Sequence, residues 1–135
     1  MTIGEAFHTT AISDTEITSY VGTRIYPSSV PQRGMMPTAM YRILPGVQRA
    51  THDGINRWSE GGRLEVTVWS ARNEEAERAI AAFISKFGDF RGKLGGEVDV
   101  RIHGVVGPRY LYDTQSQYFG QQVDFIWNVD LLTVS

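Results

Sequence analysis

The most regular hydrophobic pattern in the chain is a strand that passes almost directly into a helix. From Arg63 to Ser70 apolar and polar side chains alternate, which predicts a half-buried β-strand. Apolar residues then recur at helical spacing, which predicts a helix over 73–87 that is capped by Asn73 and ends at Gly88. Because one face of this helix is apolar, the helix must lie on a sheet.

The same two periodicities predict the other elements. We expect a first helix over 6–12 and a second helical turn that begins at Asp14 and stops at Gly22. The fold class that follows is α+β: a single domain over 1–135, with a mostly antiparallel or mixed sheet of about four to five strands, the long helix, and the N-terminal helical segment packed on it. Besides 63–70, the predicted strands are 23–27, 38–44, 98–103 and 123–131.

The predicted hydrophobic core is formed by the apolar faces of these elements. Side chains at every second strand position and at every third or fourth helix position point to the same side. The core residues expected on this basis are Leu64, Val66, Val68, Ile80, Phe83, Ile84, Phe87, Val100, Ile102, Phe125, Trp127 and Val129.

Three segments lack such a pattern. Residues 89–97 are glycine-rich and polar and are predicted to form a turn, whereas 45–62 and 104–122 are predicted to be long loops. Long loops in a compact domain are usually functional or disordered. We expect 45–62 to be a docking element outside the folding unit, and the alternative is a solvated hairpin tip.

Composition narrows the range of functions. The chain has 135 residues and no cysteine, so disulfides and thiolate metal sites are excluded. Neither a signal peptide nor a membrane span is predicted. The net charge of −2 argues against nucleic-acid binding through a basic face. From Tyr110 to Ser135 there is no Lys or Arg, so this end is expected to form an acidic, solvated face.

No catalytic motif is present. His8, His52 and His103 are far apart and lack the spacing of metal ligands, so no metal is expected. The glycines of 92–96 are not followed by a helix as in a phosphate loop, and no serine lies in a nucleophile elbow. We expect no cofactor and no enzyme activity. Since catalytic triads form through space rather than along the chain, an enzyme is not excluded by motifs alone.

Several segments taken in order make a recognisable series. They are Val21-Gly22 followed by Thr23-Arg24-Ile25-Tyr26-Pro27, a strand with Tyr41, the strand 64–69 with its Glu/Ala-rich helix, Leu111-Tyr112-Asp113, Tyr118, and Asp124-Phe125. From about Ile17 to Leu131 this series resembles the tail-completion, or tail-terminator, proteins of long-tailed bacteriophages and gene transfer agents. The chain departs from that family in the length and content of 45–62.

The resemblance implies a virion structural protein without an active site. It would form a homo-hexameric ring that caps the tail tube protein, meets the head–tail connector or stopper protein, and leaves an axial channel through which DNA passes without specific binding. It would be located in the virion, at the head–tail interface, after assembly in the host cytoplasm, with no membrane contact. The residues expected at interfaces are the large side chains without periodic partners, Arg49, Arg57, Trp58, Tyr112 and Tyr118, together with Trp69 on the polar strand face.

Two other functions stay open. One is a small α+β enzyme whose site lies between the 45–62 loop and His103, which a pocket joining the two would support. The other is a different structural component of the same particle, such as a head-completion or minor tail protein.

Overall fold

In the part of the chain that the structure describes, three helices lie against one curled, mixed sheet. The computed structural model describes residues 2–29, 34–45, 49–50 and 57–132; for residues 45, 49–50, 57–60 and 130–132 it describes the backbone only. The elements, in chain order, are α1 (Ile3–Ile12), α2 (Thr15–Val21), β1 (Ile25–Pro27), β2 (Thr38–Pro45), β3 (Arg49–Ala50), β4 (Arg57–Ser70), α3 (Asn73–Phe87), β5 (Arg91–Leu94), β6 (Val98–Asp113) and β7 (Tyr118–Leu132).

The centre of the sheet is the long antiparallel pair of β4 and β7. Their register runs from Arg57 opposite Leu132 to Ser70 opposite Phe119. The strand order is β1-β2-β4-β7-β6-β5, with β3 paired to β4, and the parallel pairing of β1 with β2 makes the sheet mixed. The α+β class is confirmed, but the described sheet has seven strands rather than four to five.

The additional strands come from segments predicted to be irregular. Residues 104–122 are not a loop: they belong to a hairpin of β6 and β7 with a short turn at 114–117. The predicted turn at 89–97 contains β5. Within 45–62, β3 and the first six residues of β4 are strand, so this part belongs to the folding unit; residues 46–48 and 51–56 lie outside the described residues. In β5 and in the 103–113 part of β6 most residues are exposed or only partly buried, so their hydrophobic alternation is weak.

The core lies between α3 and the sheet. Phe83 is fully buried. Its ring stacks on the rings of Phe7 and Phe87, whose centroids lie 6.2 and 6.4 Å, respectively, from its own. Phe87 also meets Phe125 of β7 at 6.0 Å. Ten of the twelve predicted core residues are buried, while Ile84 and Val129 are partly buried and pack against the core. The predicted helix register is therefore confirmed.

The ends of α3 differ from the prediction. Asn73 is the first helical residue and not the cap; Arg72 occupies the cap position and no side chain caps the helix there. The helix ends at Gly88 as predicted, but Gly88 is extended and Asp89 takes the left-handed conformation, with φ 62°. Glycine is needed at 88 because a Cβ there would lie 2.7 Å from the Ile84 carbonyl oxygen. None of the described helices has the length and hydropathy that crossing a membrane requires.

Candidate interface on the sheet

The six predicted interface residues divide between the two ends of the sheet. Trp69 lies near the end of β4, close to the hairpin turn that Tyr112 and Tyr118 flank. Trp58 lies at the other end of β4, where its backbone pairs with Leu131. Trp58 and Trp69 are eleven positions apart, which is roughly 36 Å along a strand. Arg49 and Arg57 lie at the Trp58 end, so the six residues form two groups and not one site.

The outer edge of β6 is open over most of its length. β5 pairs only with the first part of β6, from Val98 to Arg101, and the Ile102 N–H donates to the Phe90 carbonyl at 2.8 Å. From His103 to Tyr112, no other described strand pairs with this side of β6. We call this segment, residues 103–112, the free edge.

Two irregularities bend the free edge. The register with β7 shifts between Ile102 and Gly104 and again between Val106 and Arg109, as expected for bulges, which bend a strand and increase its twist. Gly107 lies in the second shift with φ 111°, and a Cβ there would lie 2.9 Å from the Gln122 carbonyl oxygen. Only glycine fits at this position, so the bend is encoded in the chain.

Exposed apolar side chains are concentrated on this edge. The described part of the chain has six large hydrophobic residues that are exposed, and four of them lie on the free edge: Val105, Val106, Tyr110 and Tyr112, which are 40, 40, 57 and 45% exposed. Scattered exposed apolar residues are ordinary, but an open strand edge that carries them favours pairing with another chain.

An aromatic cluster lies at the far end of the edge. The Phe119 ring is 5.1 Å from that of Tyr112 and 6.3 Å from that of Tyr110. The register places all three on one face of the hairpin. The sequence predicted Tyr112 as an interface residue but not Tyr110 or Phe119, because 104–122 was predicted to be a loop. The two-residue spacing of Tyr110 and Tyr112 was the available signal for a strand.

The hairpin turn is held by Asp113. Its carboxylate accepts hydrogen bonds from the Ser116 hydroxyl at 2.8 Å and from the Gln115 N–H at 3.1 Å. The Ser116 hydroxyl oxygen accepts in turn from the Tyr118 N–H. These hydrogen bonds hold the pKa of Asp113 below its ordinary value of 3.8, and the bond from Ser116 has a larger effect than the bond from Gln115.

Acid is expected to loosen this turn. Because the folded pKa of Asp113 is depressed, its stabilising effect is complete above pH 3.8 and is lost as the pH falls through the lower, folded value. In an NMR titration the amide signals of Gln115 and Tyr118 should move together with a midpoint below 3.8. In Asp113→Asn, which cannot titrate, both signals should stay still over that range. A midpoint at or above 3.8 would contradict the assignment.

Trp69 lies on the sheet face opposite the helices, which we call the open face. Its strand partner is Gly120, and a Cβ on Gly120 would lie 2.8 Å from the indole ring. The ring therefore covers the space that the missing side chain leaves on β7. Packing within the chain therefore accounts for one side of Trp69, and the side chain stays partly exposed.

A polar network crosses the open face. Asp124 of β7 is only 4% exposed and accepts from Arg63 of β4 at 3.2 Å and from Arg109 of β6 at 3.1 Å. Arg109 also donates to the Gln122 side chain at 2.7 Å, and that amide donates to Thr67 at 2.9 Å. One buried carboxylate thus ties together three neighbouring strands, β4, β7 and β6.

The prediction of an acidic, solvated face for the C-terminal segment is wrong for Asp124, whereas Asp113 lies at the surface. Asp124 is buried between two arginines, and Asp113 is engaged in the turn. The side chain of the third acidic residue, at position 130, lies outside what the structure describes. The cations that pair with Asp124 are Arg63 and Arg109, which lie outside residues 110–135. The composition of that segment alone could therefore not show the pairing.

The described residues do not join His103 to the 45–62 segment. His103 lines an open depression of about 420 Å³ with residues of 89–91 and 101–102. Arg101 also lines a second depression, of about 480 Å³, with Arg91 and Asn128. Among the described residues, no three His, Asp or Glu side chains are grouped so that they could hold a metal ion.

Comparisons with known proteins give likeness in fold. No protein-family model matches the chain, and no curated protein matches it. A solved chain described as "Virion of native gene transfer agent (GTA) particle" is 16% identical with a TM-score of 0.59; the match covers 97% of this chain and 95% of that one. A second solved protein, whose name states no function, is 12% identical with a TM-score of 0.61, covering 98% and 96%. At these identities the likeness shows a shared fold.

Proposed function

We propose that this protein is a structural component of a phage-like particle, and specifically the subunit of a ring that caps the tail tube and joins it to the head–tail connector. The observation that carries the proposal is the fold match over nearly all of both chains to a protein of a gene transfer agent virion. The order of segments from Ile17 to Leu131, which resembles tail-terminator proteins, supports the more specific role.

The ring is proposed to contain six copies. Six chains of 15.1 kDa make about 91 kDa. Its partners are the tail tube protein on one side and the connector or stopper protein on the other, and its location is the virion. The free edge of β6 and the exposed apolar residues along it give each subunit a surface for contact with another protein chain.

Passage of DNA without specific binding is supported by the pairing of arginines on the open face. Phosphates are held mainly by lysine and arginine side chains that neutralise them. Arg63 and Arg109 share Asp124, and Arg42 bonds Glu65 at 3.0 Å. These three arginines and two carboxylates leave a net charge of +1, so the network attracts phosphates less than three unpaired arginines would.

Electron microscopy tests the ring directly. Negative-stain images of the purified protein, alone at high concentration and mixed with its tail tube, should show six-fold rings, with rings seated on tube ends in the mixture. Protein that stays monomeric in both samples and does not bind the tube would overturn the proposed function. Binding to heads or to the side of the tube would instead identify another structural component of the particle.

The residues at the Trp58 end stay proposed as docking residues. Because 57–60 belong to β4, deletion of the whole segment would disturb the sheet, so point substitutions are the suitable test. Arg57→Ala combined with Trp58→Ala should leave the melting temperature within a few degrees of the parent but lower the yield of complete, DNA-filled particles. An unchanged yield would remove docking from this end of the sheet.

A further inference from the structure

We infer that the free edge of β6, residues 103–112, is the strand-pairing contact through which one copy of this chain binds the next. The inference rests on the proposed ring and names the surface that forms it. Its basis is the coincidence of two features: a strand edge with no described pairing partner, and the exposed apolar residues Val105, Val106, Tyr110 and Tyr112 along it.

The chemistry of the edge favours a protein partner. A nucleic acid would need cations for its phosphates, and the one arginine of this segment, Arg109, is already bonded to Gln122 and Asp124. Apart from Pro108, which has no N–H, the backbone of the free edge instead offers N–H and C=O groups on the side away from β7, which another strand can pair while its side chains meet the exposed apolar residues.

The position of the edge favours a second copy. β6 lies toward one side of the sheet and β1 forms the other side, so a chain that pairs with β6 continues the sheet sideways. In a ring, the neighbour beside a subunit is another subunit, whereas the tube and the connector lie above and below. Contact between different surfaces of identical chains is the arrangement that closes a ring.

The size of the edge shows which residues must take part. Ten residues of strand are roughly 34 Å long, and a strip about 10 Å wide covers roughly 340 Å². A standard interface buries ~800 Å² per partner. The edge alone is too small, so surface beside it is expected to lie in the same contact, beginning with Phe119, whose ring packs against Tyr110 and Tyr112 of the edge.

A pair of matched double variants tests the inference. Val106→Lys with Tyr110→Lys places two charges on the edge, while Ile12→Lys with Met35→Lys adds the same charges at exposed apolar residues elsewhere. Sedimentation velocity over a concentration series should show subunit association at least roughly 30-fold weaker for the edge variant and unchanged for the control. Thermal melts report whether each variant is folded.

Hydrogen exchange on the unmodified protein gives a second, independent reading. Amides within 103–112 that do not bond to β7 should become protected when the protein assembles, compared with dilute monomer. If the edge variant and the control both form rings, or if the amides of an assembled ring stay unprotected, the inference fails and the ring stands. If the protein is monomeric at every concentration, the inference also fails, and tube binding decides the proposed function. A dimer with protected 103–112 amides would support pairing through the edge and count against the ring.

Discussion

Phe83→Ala is expected to lower the free energy of unfolding by about 3–5 kcal/mol. Phe83 is fully buried on α3, and its ring stacks on two other aromatic rings, those of Phe7 and Phe87. Truncation removes the buried ring and leaves a cavity, because the stacked neighbours and the sheet behind them can collapse only in part. Urea denaturation followed by circular dichroism measures the loss.

Ile84→Ala is the matched control for this substitution. Ile84 follows Phe83 on the same helix and has similar helix propensity, but it is only partly buried. Its truncation should therefore cost clearly less than that of Phe83. Equal losses for the two variants, or an unchanged midpoint for Phe83→Ala, would show that the helix does not present this face to the sheet.

Asp124→Ala is expected to lower the free energy of unfolding by about 1–3 kcal/mol. The substitution removes the only carboxylate that the described contacts of Arg63 and Arg109 share. Breaking a fully buried ion pair costs more, roughly 3–5 kcal/mol. The side chains of Arg63 and Arg109 are 53 and 40% exposed, so they can turn toward water when Asp124 is removed. The expected loss of unfolding free energy is therefore smaller than for a fully buried pair.

Glu65→Ala provides the comparison for Asp124. Glu65 lies directly opposite Asp124 on the neighbouring strand, and its described ion pair is to one arginine, Arg42, whose side chain is 53% exposed. Its removal should cost under ~1 kcal/mol. Because Asp124 joins β4 to β6 across β7, hydrogen exchange in the β6–β7 hairpin should increase in Asp124→Ala and not in Glu65→Ala. Equal effects of the two substitutions would show that the network does not hold the hairpin.

The elements with one buried face could be predicted from the sequence because burial leaves a period. The 63–70 part of β4 and the helix α3 both have an apolar face against the core, and the predicted residues Val66, Ile80 and Phe83 are buried there. The α+β class followed from the same patterns. Where both faces of a strand are partly exposed, as along 104–113, the period is short and weak, limited here to the spacing of Tyr110 and Tyr112, and the hairpin was predicted to be a loop.

The candidate site depended on contacts between residues that are distant in the sequence. Arg63 and Asp124 are 61 positions apart, and only the pairing of β4 with β7 makes them partners. The same pairing places Trp69 on Gly120. The free edge, too, is defined by where β5 stops pairing with β6.

The sequence by itself determined which faces of the chain are apolar, and hence the class of fold and most of the core, because burial of apolar surface is a local requirement on each element. The tertiary structure alone decided which strands are neighbours, where the sheet ends, and which charges meet. Those outcomes depend on hydrogen bonds and ion pairs between strands far apart in the chain, which leave no regular pattern in the order of residues.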